Sequence, residues 1–333
     1  MISRFLRVPA EWEKQSAIWT AIPAHGDVDR WGPGDRLRRA QQEFGAMVRA
    51  IAGSQRVEVF AADAESFAVA KTAFADSPNV RVTPSDYGDI WLRDTGPIFA
   101  QEDGKSVALR FKTNGWGNKF VYEHDDAIGD AVANLASVPI RRHDFVLEGG
   151  SLEHNGDGVI LTTKQCILNT NRNLGRSQLE MEKALKDAFG ARRIVWLDFG
   201  MENDHTDGHV DNIARFVSTN RVVCQKAFGK DDPNAETFEN IAAALREEGF
   251  DVTQLPSPGK VTDEDGDVIP ASHMNFIIAN ACVVVPVYGT ASQDAALAAL
   301  QPLFPDRKVV GVRADTILTG GGSFHCITQQ QPA

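Results

Sequence analysis

The feature that most constrains this chain is the spacing of its helical patterns against its strands. Apolar periodicity of helical type lies near residues 36–53, 64–76, 124–136, 177–189, 235–248 and 292–303. Asp35 and Ser177 stand where caps belong, and Gly190 and Gly249 stand where helices should stop. Between the helices lie short β-branched runs such as RVEVFA (56–61), GVILTT (158–163), HMNFIIAN (273–280) and KVVGV (308–312). From the second helix onward the helix centres fall near 70, 130, 183, 241 and 298, a period of roughly 55 to 60 residues. Two to four strands separate successive helices, whereas a doubly wound sheet usually places one there. The pattern therefore predicts an α/β protein of five similar modules. No linker interrupts it, so residues 1–333 are expected to form a single domain; 257–268 reads as an exposed loop and the final QQQPA as a tail.

Composition narrows the function. A net charge of −11 repels phosphate backbones and anionic membranes, so no nucleic-acid or membrane partner is expected. No apolar run is long enough to span a bilayer, and MISRFLRVPAEWEKQ lacks a signal-peptide core, which predicts a soluble, cytoplasmic protein. The four cysteines are scattered with no CxxC pair, which argues against a zinc knuckle or a disulfide framework. Cys166, Cys224 and Cys282 sit in apolar, strand-like runs and read as buried structural thiols.

Four clusters carry unusual chemistry. In DIWLRDTGP (89–97), Trp91, Arg93 and two acids meet beside a turn, which suits either a site or a salt bridge beside a core tryptophan. In LEGGS (147–151), Glu148 ends an apolar run, and the glycines permit a ligand or another backbone to come close, or simply form a turn. The densest polar stretch is NDHTDGHVDN (203–212). His205 and His209 are four apart, as metal ligands on a helix would be, but the glycine and the alternation favour a loop entering a strand. There His209 and Asp211 would share a face as a general acid/base with a carboxylate partner; a metal site and a solvated loop stay open. In LTGGGSFHCITQQQP (318–332), three glycines precede Cys326, a placement that suits a nucleophile, a buried thiol or, without the GK[ST] element, a poor phosphate loop. His325 adjoins the cysteine, but neighbours in extended chain face opposite ways, so it is not the expected base.

A thiol, a histidine and the carboxylates Asp94, Glu148 and Asp211 suit a planar guanidinium, whose donors form a fixed fork. Its central carbon is a poor electrophile, and a covalent route through cysteine divides that substitution into two easier steps.

The segments DIWLRDTGPIF, VLEGGSLE, ILTTKQCILNTNRN, DHTDGHVDNIARFV and GGGSFHCITQQQP together resemble the agmatine deiminase family of the guanidine-modifying, or pentein, superfamily, along nearly the whole chain. The resemblance implies a pentein-type α/β propeller: five ββαβ-like modules around a pseudo-fivefold axis, in one catalytic domain. It implies Cys326 as nucleophile, His209 as general acid/base and Glu148 as a further catalytic acid. Asp94 and Asp211 would grip the substrate's guanidinium, with Trp91 as the aromatic wall. It implies no metal and no cofactor, a small guanidino substrate (agmatine), a role in putrescine and polyamine biosynthesis, and leaves a homo-oligomer open. His205, the DYG before DIWLRD, and Ser323–Phe324 depart from the family's usual residues and bear on the substrate's tail more than on the reaction. The alternatives are a deiminase of arginine or peptidyl-arginine on the same fold, and a metal-dependent hydrolase built on His205 and His209.

Overall fold

The computed structural model describes residues 6–32 and 34–333; residues 1–5, on which part of the signal-peptide expectation rests, lie outside the described residues. Five sheets form, and each contains the same unit: an antiparallel pair of strands, a helical crossover, and a third strand parallel to the second. In the second module Ile98–Glu102 pairs antiparallel with Lys105–Lys112, the helix Asp125–Leu135 crosses over, and Ile140–Val146 returns in parallel. The third repeats this with Leu152–His154, Val159–Thr163, the helix Gln178–Phe189 and Arg193–Leu197. The fourth uses Ala214–Ser218, Arg221–Lys226, Ala235–Glu247 and Asp251–Pro256. The fifth uses Ile277–Ile278, Cys282–Val287, Gln293–Leu300 and Lys308–Arg313.

The first module is assembled from both ends of the chain. Thr328–Pro332 pairs antiparallel with Gln15–Ala21, which runs parallel to Arg56–Ala61 after the helix Asp35–Ala52. QQQPA is therefore not a tail: residues 329–332 belong to an edge strand of the first sheet. The five-module count stands, but one of its helices was misassigned. The helix Ala64–Ala73 and the strand Val80–Pro84 extend the first sheet by one further parallel crossover, and the module's own crossover is Asp35–Ala52. The extra helix happens to sit one period ahead of the next, so spacing alone selected it.

Local chemistry explains the crossovers. Asp35–Ala52 buries Leu37, Ala40, Phe44, Met47, Val48 and Ile51, a stripe at helical spacing. Its cap is Gly34, so Asp35 occupies the first turn, where a carboxylate favours the positive end of the helix dipole. Gln178–Phe189 opens with a capping box in which Ser177 accepts from Glu180 N and Glu180 reaches back, and it stops at left-handed Gly190. Segment 273–280, read as a long strand, contributes only Ile277–Ile278 to the ladder, because its preceding residues turn inward with their polar groups. No helix among the described residues is long and apolar enough to cross a membrane.

Candidate active site

Each of the five segments that join one module to the next supplies a polar side chain to the same place. Asp94 comes from the short helix Leu92–Thr95, between the first and second modules. Glu148 precedes the turn Gly149–Ser151, between the second and third. His209 precedes the turn Val210–Asn212, which carries Asp211, between the third and fourth. Asn275 lies between the fourth and fifth, and Cys326 between the fifth and first. Such convergence is what a ring of five modules produces at the end where the connections meet.

Glycines make the approach possible. A Cβ on Gly149 would lie 2.1 Å from the Arg93 carbonyl oxygen, so two connecting segments press backbone to backbone here. On Gly150 it would meet His209 Nδ1 at 2.7 Å and one oxygen each of Asp211 and Asp94 at 3.0 Å. Gly150 N donates to Asp94 Oδ1 at 2.8 Å, and Trp116 Nε1 donates to Asp94 Oδ2 at 2.9 Å, so the carboxylate is fixed. The three glycines before Cys326 admit an aromatic ring: a Cβ on Gly320 or Gly322 would strike the Trp91 indole at 2.9 or 2.7 Å.

Cys326 is buried in a turn, not an extended segment. Its S–H donates to Asp211 Oδ2 at 3.6 Å, and Asn275 Nδ2 donates to the sulfur at 3.1 Å. Asn275 Oδ1 accepts from the backbone N–H groups of His325 and Cys326 at 2.9 and 3.2 Å, so one amide holds both the thiol and its turn. Burial pushes the Cys326 thiol well above its ordinary value, and Asp211 and Asp94 push it further. His325 faces away from the pocket, with Nδ1 on Asp211 Oδ2 at 2.7 Å and Nε2 on Glu11 Oε2 at 3.0 Å. Glu11 is also paired with the fully buried Arg215, which binds Glu153 at 2.9 Å. Arg93 is buried as well, its backbone N–H donating to the Cys326 carbonyl oxygen at 3.0 Å, so it clamps the turn instead of forming a surface ion pair.

His209 is fully buried, 3.8 Å from Asp94 through Nδ1 and 3.7 Å from Glu148 through Nε2, and neither ring nitrogen has a hydrogen-bond partner. Burial alone would lower its affinity for a proton. Asp94, with Cys166 and Glu148, more than reverses that and holds it well above the usual imidazole value. Glu148 is kept ionised despite its burial by His209 and by Arg172, whose Nε donates at 2.8 Å. Asp211 Oδ1 is buried without a partner. A protonated imidazole, carboxylates with open acceptors and a thiol suit a cationic, planar, multi-donor ligand.

The pocket above Cys326 is lined by Asp94, Trp91, Trp116, Phe120, Arg30, Thr206 and His205. His205 is exposed at the mouth, its ring tilted on Phe120 with centroids 5.8 Å apart, so it does not join His209 as a metal pair. The donors that do converge as a group, among the described residues, are Glu148, Cys166 and His209.

This arrangement has known counterparts. The model of the Porphyromonas-type peptidyl-arginine deiminases matches residues 7–332. The chain belongs to that family. An agmatine deiminase of Pseudomonas aeruginosa (strain UCBPP-PA14) is 37% identical over 98% of this chain and 95% of its own. An agmatine deiminase of C. jejuni, solved as a cysteine-to-serine variant with substrate bound, superposes with a TM-score of 0.92 at 30% identity, covering 100% of this chain and 98% of the other. That of Enterococcus faecalis gives 0.91 at 30% identity over 98% and 96%. An amidinotransferase of Microseira wollei at 11% identity and TM-score 0.54 shares the fold alone.

Among the residues expected from sequence, Cys326, His209, Glu148, Asp94, Asp211 and Trp91 all lie in this one site. His209 and Asp211 meet through a turn, not through shared strand alternation. Asn275 and Trp116 were missed. An asparagine inside an apolar run and a tryptophan between two glycines were the available signals. Cys166, read as a strand thiol, lies in the helical turn Lys164–Ile167, 3.9 Å from Glu148.

Proposed function

We propose that this chain is an agmatine deiminase, hydrolysing agmatine to N-carbamoylputrescine and ammonia. The observation that carries this reading is the meeting of a buried thiol, an imidazole set between two acids and carboxylates with open acceptors at the base of one pocket, in a chain whose relatives bear that name. The guanidinium lies against Asp94 and Asp211 with Glu148 beside it, and Trp91 walls its plane. Its positive charge offsets the two acids that disfavour the Cys326 thiolate, so the thiol loses its proton to solvent as substrate binds. Cys326 Sγ attacks the central carbon, His209 gives its proton to the departing nitrogen, and ammonia leaves an S-alkylthiouronium. Neutral His209 then takes a proton from water as the water oxygen bonds to that carbon. The C–S bond breaks, returning the thiolate, and the hydroxyl proton passes to the released ammonia through solvent, which leaves the neutral urea product.

A second reading, arginine or a peptide ending in arginine as substrate, is favoured by Arg30, whose guanidinium lines the pocket 4.4 Å over the Tyr122 ring and pairs with Asp89. A tail carboxylate would gain from that cation, and an amine would not. Ammonia release measured in parallel with agmatine, arginine, a peptidyl-arginine and methylated arginines separates the two. Agmatine should lead by at least tenfold in kcat/KM, and C326S should be inactive on all. Near-normal turnover by C326S would refute the scheme.

A further inference from the structure

Behind the pocket floor, Glu148, Cys166 and His209 place a carboxylate oxygen, a thiol sulfur and an imidazole nitrogen within 4.8 Å of one another. Glu148 Oε2 lies 3.9 Å from Cys166 Sγ and 3.7 Å from His209 Nε2. A tetrahedral zinc with bonds of ~2.0–2.3 Å separates its ligand atoms by roughly 3.3–3.8 Å. The two edges at Glu148 Oε2 therefore need only a few tenths of an ångström to close on an ion, and the third, from Cys166 Sγ to His209, lies within 4.8 Å. We propose that it is an inhibitory binding site for a thiophilic divalent cation, zinc above all, that removes His209 from turnover.

Three observations beyond spacing support it. His209 is fully buried with neither ring nitrogen in a hydrogen bond, so within the trio only the long S–H contact from Cys166 to Glu148 Oε2 has to break. Arg172 Nε binds Glu148 Oε1 at 2.8 Å and leaves Oε2 turned toward the other two, as a ligand carboxylate is commonly held by a neighbouring donor. Charge also balances. Imidazolium, carboxylate and thiol sum to zero; zinc with neutral imidazole, carboxylate and thiolate also sums to zero, with two protons released. A buried site that gains no net charge avoids the desolvation cost that usually opposes an ion in the interior. The fourth coordination position is left for water. Asp94, which lines the pocket, lies 3.8 Å from His209 Nδ1, so a single side chain separates the trio from the pocket.

The effect on turnover rests on the role of His209 proposed above; the binding itself does not. The full chain, stripped by a chelator, is titrated with zinc while ammonia release is followed. One equivalent should suppress activity, a chelator should restore it, and C166A and C166S should each need at least tenfold more zinc for half-inhibition relative to their own zinc-free rate. Cobalt(II) binding to C326S gives a readout that needs neither activity nor a change at Cys166. It should show thiolate-to-metal charge-transfer absorption that disappears in C326S/C166S. Absence of that band in C326S, its persistence in the double variant, or equal zinc sensitivity of wild type and C166S would overturn the proposal.

Discussion

Replacing Asp211 by asparagine should make Cys326 more reactive and the enzyme less active, and the opposed directions make the variant informative. Asp211 Oδ2 lies 3.6 Å from the sulfur, so its charge opposes the thiolate by about 4.6 kcal/mol at an effective dielectric near 20. His325, 2.7 Å from the same oxygen, offsets part of it. The thiol pKa should therefore fall. Because nucleophilicity also declines as a thiol becomes more acidic, alkylation of Cys326 at pH 7 should quicken by only roughly three- to tenfold. The assay is iodoacetamide labelling of the free protein across pH, with Cys326 followed by peptide mass spectrometry. Turnover should drop by roughly 10- to 100-fold, the loss of one charge-assisted pair to the guanidinium. An unchanged or upward-shifted labelling profile would refute the electrostatic account of the thiol. Normal turnover would refute the assignment of Asp211 to the substrate.

Gly150→Ala puts a Cβ 2.7 Å from His209 Nδ1 and 3.0 Å from two carboxylates, so kcat/KM should fall by at least ~100-fold; activity within twofold of wild type would contradict the geometry. Asn275→Ala removes the donor to Cys326 and the acceptor for two backbone N–H groups. Its kcat should fall roughly 10- to 100-fold, with slower labelling of Cys326, as steady-state kinetics and alkylation would report. Burial, with Asp89, pushes the Asp125 carboxyl up to about 7. The native protein therefore holds that proton where the unfolded chain has lost it, and stability falls as pH rises from about 4 to 7. Asp125→Asn should flatten that slope and add about 4 kcal/mol at pH 8 with little change at pH 4, measured by denaturant melts at both.

The sequence disclosed most of the chemistry because reactive residues cluster in short connecting segments with glycines beside them. Cys326, His209 and Glu148 each stand next to a glycine or a turn, and such spots are legible without a fold. Asn275 was not, since HMNFIIAN satisfies a strand pattern and only its three-dimensional neighbours show that the amide faces a sulfur. Trp116 was hidden for a related reason: its positive φ of 51° between two glycines is set by the turn, and no periodicity marks such a residue. Strand alternation explained His209 and Asp211 for the wrong reason, a turn having done what a pleat was expected to do. The repeat was visible in helix spacing, but pairing between Gln329 and Trp19 joins residues more than 300 positions apart, and local pattern carries no information on that.

That pairing sets an order of events during synthesis. The strand Thr328–Pro332 fills its place beside Gln15–Ala21 only after the roughly 300 residues between them have been made, and the turn bearing Cys326 immediately precedes it. While the ribosome still covers these residues, the first sheet has a bare edge and the acids Asp94 and Asp211 lack the Cys326 thiol they flank. A nascent or prematurely terminated chain thus carries His209 and its carboxylates but no nucleophile, and chemical competence arrives in the same step that closes the ring.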